Sequence, residues 1–535
     1  MNPDLHAAED SLVAAATMAF TNTNPSPAVR LASGGGGGIA WDDLMVVTNY
    51  TDFCSVVTTT LDNDNGSASG GTSLREAIKY SSSGMPITFA YGLSGQTVSL
   101  SGSPITVNKD IFMDASNLPA GMSIDGGQGT NRLFAVEPGK HLTLSGLTLT
   151  GGKGGGGAGG AIHNAGTVTL EKCTLIGNSA PGSNGGALHN AGTMILSQCT
   201  LTGNSSMNGG AISNGSMLTL THCTLSGNSA SLNGGGTFNE GTLLLSNTIL
   251  AGNTAPSGPD LLHSIGTITP GGVNLIGDLM GSALTAGPTL LIGNPKLSPL
   301  GYFGGPTQTM HPLIGSPVID AGSNTDPGGT DQRGLPRFVD GHTASEGAQL
   351  DLGAVEAGPL AMVTSAADTL EAGTLRSALS SATQGARIGF IPTVFPGAQV
   401  RLGGSELPIP TTATIFIDAS NLSGPVTISG NNTSRVFNIA AGANVAMHRL
   451  TITGGKVPEN DTFGLHGGGL SNQGDLSLFV CSITNNRAKD SNGSGGGSGG
   501  GIYSNGRISL ESCTVSGNGA GNPAGGFVSP GGIIF

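Results

Sequence analysis

From residue 159 to residue 253, apolar and polar side chains alternate with a period of two in runs of four or five, and each run is cut short by Gly, Asn or Ser. Val168 and Leu170 point one way, and after a bend at Glu171 and Lys172 so do Cys173 and Leu175, with a Thr between them pointing outward. This alternation predicts short half-buried strands. The runs also repeat. GGAIHNAGTVTLEKCTLIGN from Gly159, GGALHNAGTMILSQCTLTGN from Gly185, GGAISNGSMLTLTHCTLSGN from Gly209 and GGGTFNEGTLLLSNTILAGN from Gly234 recur every 24 to 26 residues, and GGGLSNQGDLSLFVCSITNN from Gly467 and GGGIYSNGRISLESCTVSGN from Gly499 share their grammar. One such unit holds two or three short strands and cannot bury its own apolar face, so the units are expected to stack as coils of an all-β parallel solenoid, a β-helix.

Stacked coils place equivalent residues about 4.8 Å apart, and columns of like residues follow. Cys173, Cys199, Cys223, Thr248, Cys481 and Cys513 form one inward column, whose acceptance of Thr248 points to a requirement for small side chains rather than to thiol chemistry. Asn164, Asn190, Asn214, Asn239 and Asn472 form another at a bend, where each amide can bond the Asn of the next coil, and Ser504 is expected to break it. The Gly pair opening each coil supplies positive φ and close approach.

A longer repeat lies over the short one. SLREAI (73–78) returns as TLRSAL (374–379), IFMDASNL (111–118) as IFIDASNL (415–422) and LTLTGGK (147–153) as LTITGGK (450–456), in the same order. We therefore divide the chain into a poorly structured segment (1–45), a first β-helix copy (46–293), a closing segment (294–357) and a second copy (358–535). The second copy reaches Phe535 without a counterpart of the closing segment, and the expectation is of part of a longer gene product. The two copies either continue as one rod or hinge at residues 358–361.

Composition narrows the class. The 93 Gly without a G-X-Y period exclude collagen, and 37% hydrophobic against 10% charged residues excludes a disordered chain. A net charge of −13 with no basic patch excludes nucleic acid as partner. No run approaches the roughly 20 apolar residues of a membrane span. The apolar stretch 12–20 follows Asp4, Glu9 and Asp10, where a secretory signal would carry positive charge. The six Cys include no CxxC pair and follow the repeat, so no zinc or disulfide framework is expected.

Three segments resemble known bacterial families. SLREAI resembles the module that opens many bacterial surface β-helix proteins, although Thr72 stands where a Cys usually precedes the Ser, and Ser377 replaces Glu76 in the second copy. Those departures weaken any role for the Cys or the Glu and leave Arg75 and Arg376 matched. Leu74, Ala77 and Ile78 share one helical face, as expected of a short capping helix. The coils are similar to the repeats of chlamydial polymorphic outer membrane proteins and to right-handed parallel β-helix, pectin-lyase-like domains, and the resemblance alone supplies the handedness. Residues 294–356, with NPKLSPLGYFGGPTQTMHPLIGSPVIDAG, TDQRGLPR and DLGAVE, resemble the choice-of-anchor Q domain. Together these resemblances imply an exported protein of the bacterial cell surface.

Candidate chemistry is sparse. No phosphate loop, nucleophile elbow or zinc motif occurs. A lyase of the pectate type needs carboxylates to hold Ca²⁺ and an Arg or Lys to take the proton beside a uronate carboxyl, all on one outward face. The candidates are Asp114, Asp125 and Arg132 in copy one and Asp418 and Arg435 in copy two, with Ser429 opposite Asp125. The competing reading makes Asp114 and Asp418 turn-forming Asx residues at strand ends. His163 and His189, equivalent in adjacent coils, lack a carboxylate partner and read as a stacked surface pair rather than a metal site. Asp331, Arg333, Arg337, Asp351 and Glu356 read as a salt-bridged closure over the last sheet edge. The column Thr174, Thr200, Thr224, Ser482 and Thr514 reads as a solvated strand face, and Ile249 interrupts it too early for an ice-binding array.

The expected function is an adhesin or passenger-like surface module, monomeric and without cofactor or metal, that presents a repeat-built face to glycans or to surface proteins of host or neighbouring cells. The rival is a carbohydrate-active enzyme, a polysaccharide lyase or hydrolase of pectin-lyase-like fold. An acidic and basic cluster on one face of consecutive coils would favour the rival.

Overall fold

Coils in the body of each stack give one short strand to each of three parallel sheets. The chain's structure, a computed structural model, describes residues 29–30, 45–46, 55–65, 71–127, 129, 131–323, 329–341, 347–457, 466–488, 497–521 and 525–529. In copy one the first sheet stacks nine strands, from Val56–Val57 to Thr267–Gly271, the second nine, from Thr97–Ser99 to Leu290–Ile292, and the third seven, from Ile105–Val107 to Leu261–His263. Copy two repeats the pattern with six, five and five strands from Leu360–Val363 onward. The register is strict: Val168, Met194, Leu218 and Leu243 are successive partners, as are Leu175, Leu201, Leu225 and Leu250, and all are buried. Each such Leu contributes about 1.5–3 kcal/mol by leaving water.

The GG pair has two distinct duties. The first Gly needs positive φ (76° at Gly159, 71° at Gly185, 69° at Gly209). The second admits no side chain, since a Cβ on Gly186 would lie 2.0 Å from the Gly210 carbonyl oxygen of the next coil. The turn from first to second sheet is made by a single residue with φ near 50°, held by Lys172, Gln198, His222 and Asn247 in successive coils and by Val480 in copy two. That geometry disfavours L-residues, a β-branched Val above all.

Inward amides form ladders. Asn164 Nδ2 donates to Asn190 Oδ1 (2.8 Å), Asn190 to Asn214 (2.8 Å) and Asn214 to Asn239 (2.7 Å). Asn239 ends the run on His263 Nδ1 at 3.1 Å, which we assign as the unprotonated nitrogen because the amide must donate. A second ladder, formed by the Asn of each terminal GN, runs from Asn178 through Asn204, Asn228 and Asn253 to Asp260 Oδ1. Ser504 does not break its column: its Oγ accepts from Asn472 Nδ2 at 2.8 Å. The cysteine column is buried and free except at half-buried Cys513, and Cys54 lies outside the described residues.

Two α-helices are described, one in each copy. In α1 (Leu74–Tyr80) Ser73 and Glu76 form a reciprocal capping box, and Leu74, Glu76, Ala77 and Ile78 are buried. Glu76 thus has a structural role that its replacement had put in doubt. In α2 (Leu375–Ser381) Thr374 caps alone, because Ser377 cannot reach back as Glu76 does. The matched arginines do the same work, Arg75 pairing with Asp62 (2.9 Å) and Arg376 with Asp368 (2.7 Å).

The closing segment departs most from expectation. Instead of capping the last sheet edge, it lies along the outward face of the second sheet of copy one. Thr174, Thr200 and Thr224, read as solvated, are buried beneath it. Thr174 Oγ1 donates to Gln308 O (2.6 Å), Thr200 Oγ1 to Gln332 Oε1 (2.6 Å), and Thr224 Oγ1 accepts from Ala354 N (3.0 Å). Ile249 continues the column as an apolar seat for Val318 and Leu352. The other side of the segment covers the first sheet of copy two, where Phe303 packs on Phe416 (5.1 Å) and Phe479 (5.7 Å). Arg507, in a late coil of copy two, reaches the Ala120 carbonyl in an early coil of copy one (2.6 Å), whereas Arg387, in an early coil of copy two, bonds Gly341 and Gly358 beside the stretch that covers Thr224. The two stacks therefore lie side by side in opposite directions, with the closing segment between them. Residues 358–361 turn the chain back.

Replacing Asn190 with Ala unpairs buried groups on both neighbouring coils and should cost roughly 1–3 kcal/mol for each group left without a partner. Asn233→Ala, on a half-exposed outer ladder that bonds Asn208, should cost less than about 1 kcal/mol, and urea denaturation of both variants checks the contrast. Gln332 donates to Thr174, Thr307 and the Gln308 carbonyl. The variant Gln332→Ala should speed proteolytic cleavage within residues 294–357 and leave the far-UV circular dichroism unchanged.

Candidate functional site

The five candidate residues do not share a face. Asp114 and Asp418 end first-sheet strands, Asp125 ends a second-sheet strand, and Arg132 and Arg435 lead into the third sheet. Asp114 Oδ1 accepts from Ser116 N (2.9 Å) and Asp125 Oδ1 from Gly127 N (3.1 Å), so each carboxylate is engaged by its own turn. Asp418 is not outward in the sense that a lyase site requires. It is buried under the closing segment, where it accepts from Ile314 N (2.9 Å), Ser420 N (2.8 Å) and Ser420 Oγ (2.9 Å), and lies 3.1 Å from His448 Nδ1.

The charges of the closing segment are sealed as well. Asp331 Oδ2 accepts from Arg333 Nη2 (2.7 Å) and Glu356 N (3.0 Å), and Asp351 accepts from Asp320 N and Ala357 N (both 2.6 Å). Burial, then the Asp351 charge, pushes Glu356 up to about 10, and burial pushes Asp351 up to about 7. These groups cement the segment between the two stacks and meet no solvent.

Sites open to a ligand lie elsewhere. The closing segment covers the second sheet of copy one and the first sheet of copy two, and its described contacts reach neither third sheet. There the outward column of copy one runs Ala135, His163, His189, Ser213 and Phe238, with Ser213 and Phe238 buried, and that of copy two Pro408, Asn438, Ser471 and Tyr503, with Ser471 buried. His163 and His189 stack with centroids 5.1 Å apart and ring planes 17° from parallel. The Nδ1 of each is buried without a hydrogen-bond partner, and we assign the proton to Nε2, because an orphaned donor costs more than an orphaned acceptor. Burial, then Arg132, pushes His163 below its ordinary value, and the Ala158 backbone opposes the shift. His189 is pushed down to about 4, by burial first, then by His163 and Arg132. Among the described residues no group of three His, Cys, Asp or Glu is placed to hold a metal.

The counterpart of Arg132 is built differently. Arg435 donates to Glu406 Oε2 (2.7 Å), to Gly467 O and to His466 O (both 2.9 Å), and Asn438 Nδ2 holds the other Glu406 oxygen at 2.7 Å. His466 stacks on Tyr503 with centroids 4.3 Å apart. Beside them a groove of about 670 Å³ opens against α2, lined by Leu370, Arg376, Leu379, Pro408, Asn438 and Gln473. Sequence reading missed Glu406, Asn438 and Tyr503. The one available signal was that Glu406 immediately precedes its third-sheet strand, one coil before Arg435.

No family model matches the chain, and no curated protein matches it. Among solved structures it is similar to a mutant of AlyGC, a PL6 family alginate lyase, at 10% identity and a TM-score of 0.21, over 83% of this chain and 79% of that one. No helix among the described residues is long and apolar enough to cross a membrane.

A ring that stays neutral in the folded chain down to about pH 4 but titrates near 6.5 when unfolded stabilises the fold above pH 6.5, and this contribution fades as the pH falls towards 4. His189→Phe should therefore lose less stability than the parent between pH 7 and pH 5. Urea midpoints at the two values check this, and equal losses would assign the pH dependence to other groups.

Proposed function

We propose that the chain is a binding module of the bacterial cell surface, an adhesin or passenger-like unit that holds glycans on its third sheets. The observation that carries this reading is that the third sheet stays clear of the closing segment in both copies and aligns ring and polar side chains at strand spacing: His163 over His189 in one, Asn438 to Tyr503 in the other. Flat rings and fixed donors on a rigid scaffold suit a polymer of repeating sugars, because little ordering entropy remains to be lost on binding. The resemblance of residues 294–356 to the choice-of-anchor Q domain supports an envelope location. Because the two stacks fold back on each other, the module is a double-width block rather than a long stalk.

The enzymatic reading keeps one supporting feature, an Arg132 charge close enough to act on both His163 and His189. Incubating the purified chain with acidic and neutral polysaccharides, while following both retention and release of new chain ends, separates the two. Retention without new ends is the expected result. Release of ends would make the module a lyase or hydrolase, and failure to retain any polysaccharide would remove glycans as its ligands.

A further inference from the structure

Resting on the glycan-binding reading, we infer that Arg132, His163 and His189 form an anion site on copy one that receives the carboxylate or sulfate groups of an acidic glycan, and that copy two has closed the equivalent site with its own counter-ion. The duplication supplies the comparison. Arg132 and Arg435 occupy equivalent places before the strands Phe134–Val136 and Phe437–Ile439. In copy two the Arg435 side chain is 2% exposed and paired with Glu406 at 2.7 Å. In copy one the residue that precedes the matching strand Ile105–Val107 is Pro104. A proline supplies no charge, and Arg132 has no ion-pair partner among the described residues.

What Arg132 does have is one backbone acceptor, Gly154 O at 3.3 Å, and a glycine turn shaped around it. A Cβ on Gly157 would come within 2.5 Å of Arg132 Nη2, so the turn keeps the guanidinium in place only while it carries no side chain. Burial lowers the Arg132 pKa, and no carboxylate offsets that cost. A half-buried guanidinium with unused donors is a fork that matches an oxyanion. The two histidines extend it along the stack. Both rings are pushed towards the neutral form, so His189 offers an Nε2 donor without adding charge, while the N–H of His163 faces the Ala158 backbone. One cation beside two imidazoles stacked at strand spacing fits a chain that carries anionic groups at regular intervals, not a compact polyanion.

The test is affinity electrophoresis of the full chain through gels holding polygalacturonate, dextran sulfate or neutral dextran. Two variants accompany the parent: Arg132→Gln removes the cation, and Pro104→Glu installs the counter-ion of copy two at a half-buried surface position without touching the stack. Each should weaken retention on the acidic polymers by about tenfold or more, with no change on neutral dextran and no loss of thermal stability. Equal retention of the parent and Pro104→Glu on the acidic polymers would overturn the anion site and leave the glycan reading standing. No retention of the parent on any polymer would overturn both. Displacement of the polymer by inorganic sulfate at the same charge concentration would also overturn the assignment to a glycan.

Discussion

The spacing between coils governs this molecule. Whatever one coil places inside must lie about one strand separation from the same group in the next, so every inward position has to tolerate its own kind as a neighbour. Leucines and small thiols do so by packing. Asparagines do so because the amide both donates and accepts, and a stack of them pairs itself without outside partners. A column of acids or bases would face its own charge from coil to coil, which is why the interior of the stack runs on amides and the ionisable residues collect at corners, ends and seams.

That constraint also separates what was legible in the sequence from what was not. The columns through Cys173 and Asn164, the positive-φ glycines and the helix over residues 74–80 were legible because each expresses a rule local to one coil, repeated often enough to read. The second amide ladder was visible as a terminal GN but not as a structural member, since its bonding depends on which way the turn aims Asn178. The bend at Glu171 and Lys172 was legible, but its one-residue left-handed geometry was not, because Lys, Gln, His, Asn and Val all hold that backbone conformation and leave no compositional mark. The burial of Thr174, Thr200 and Thr224 hid for another reason. A strand-favouring Thr reads alike under water or under a covering segment, and only chain connectivity more than a hundred residues away decides which.

The candidate acids and bases do not come together on one face, for a related reason. Equivalent positions in two copies look like a conserved site, but Asp114 and Asp418 serve their own turns, and Asp418 has in addition been taken into the seam between the stacks. Within the seam, Asp331, Arg333, Asp351 and Glu356 find their partners in backbone and in one another. Buried ionisable groups of this kind add little net stability but penalise any other seating of the segment, and they fix how the two halves meet.

Opposite in direction to the outer ladder through Asn233, Asn208 and Asn184, the two inward amide ladders of the first stack share a polarity. Each Nδ2 points to the following coil, and each run ends on a side chain that needs only to accept, His263 in one and Asp260 in the other. Within the ladders alone the amides of intermediate coils are interchangeable, but the covering segment ties each coil to its own partner, Thr174 to Gln308, Thr200 to Gln332 and Thr224 to Ala354, and an amide added beyond the terminal acceptors would leave its oxygen without a donor. The two ladders therefore set where the amide stack ends, at His263 and Asp260, while the covering segment sets how many coils lie beneath it.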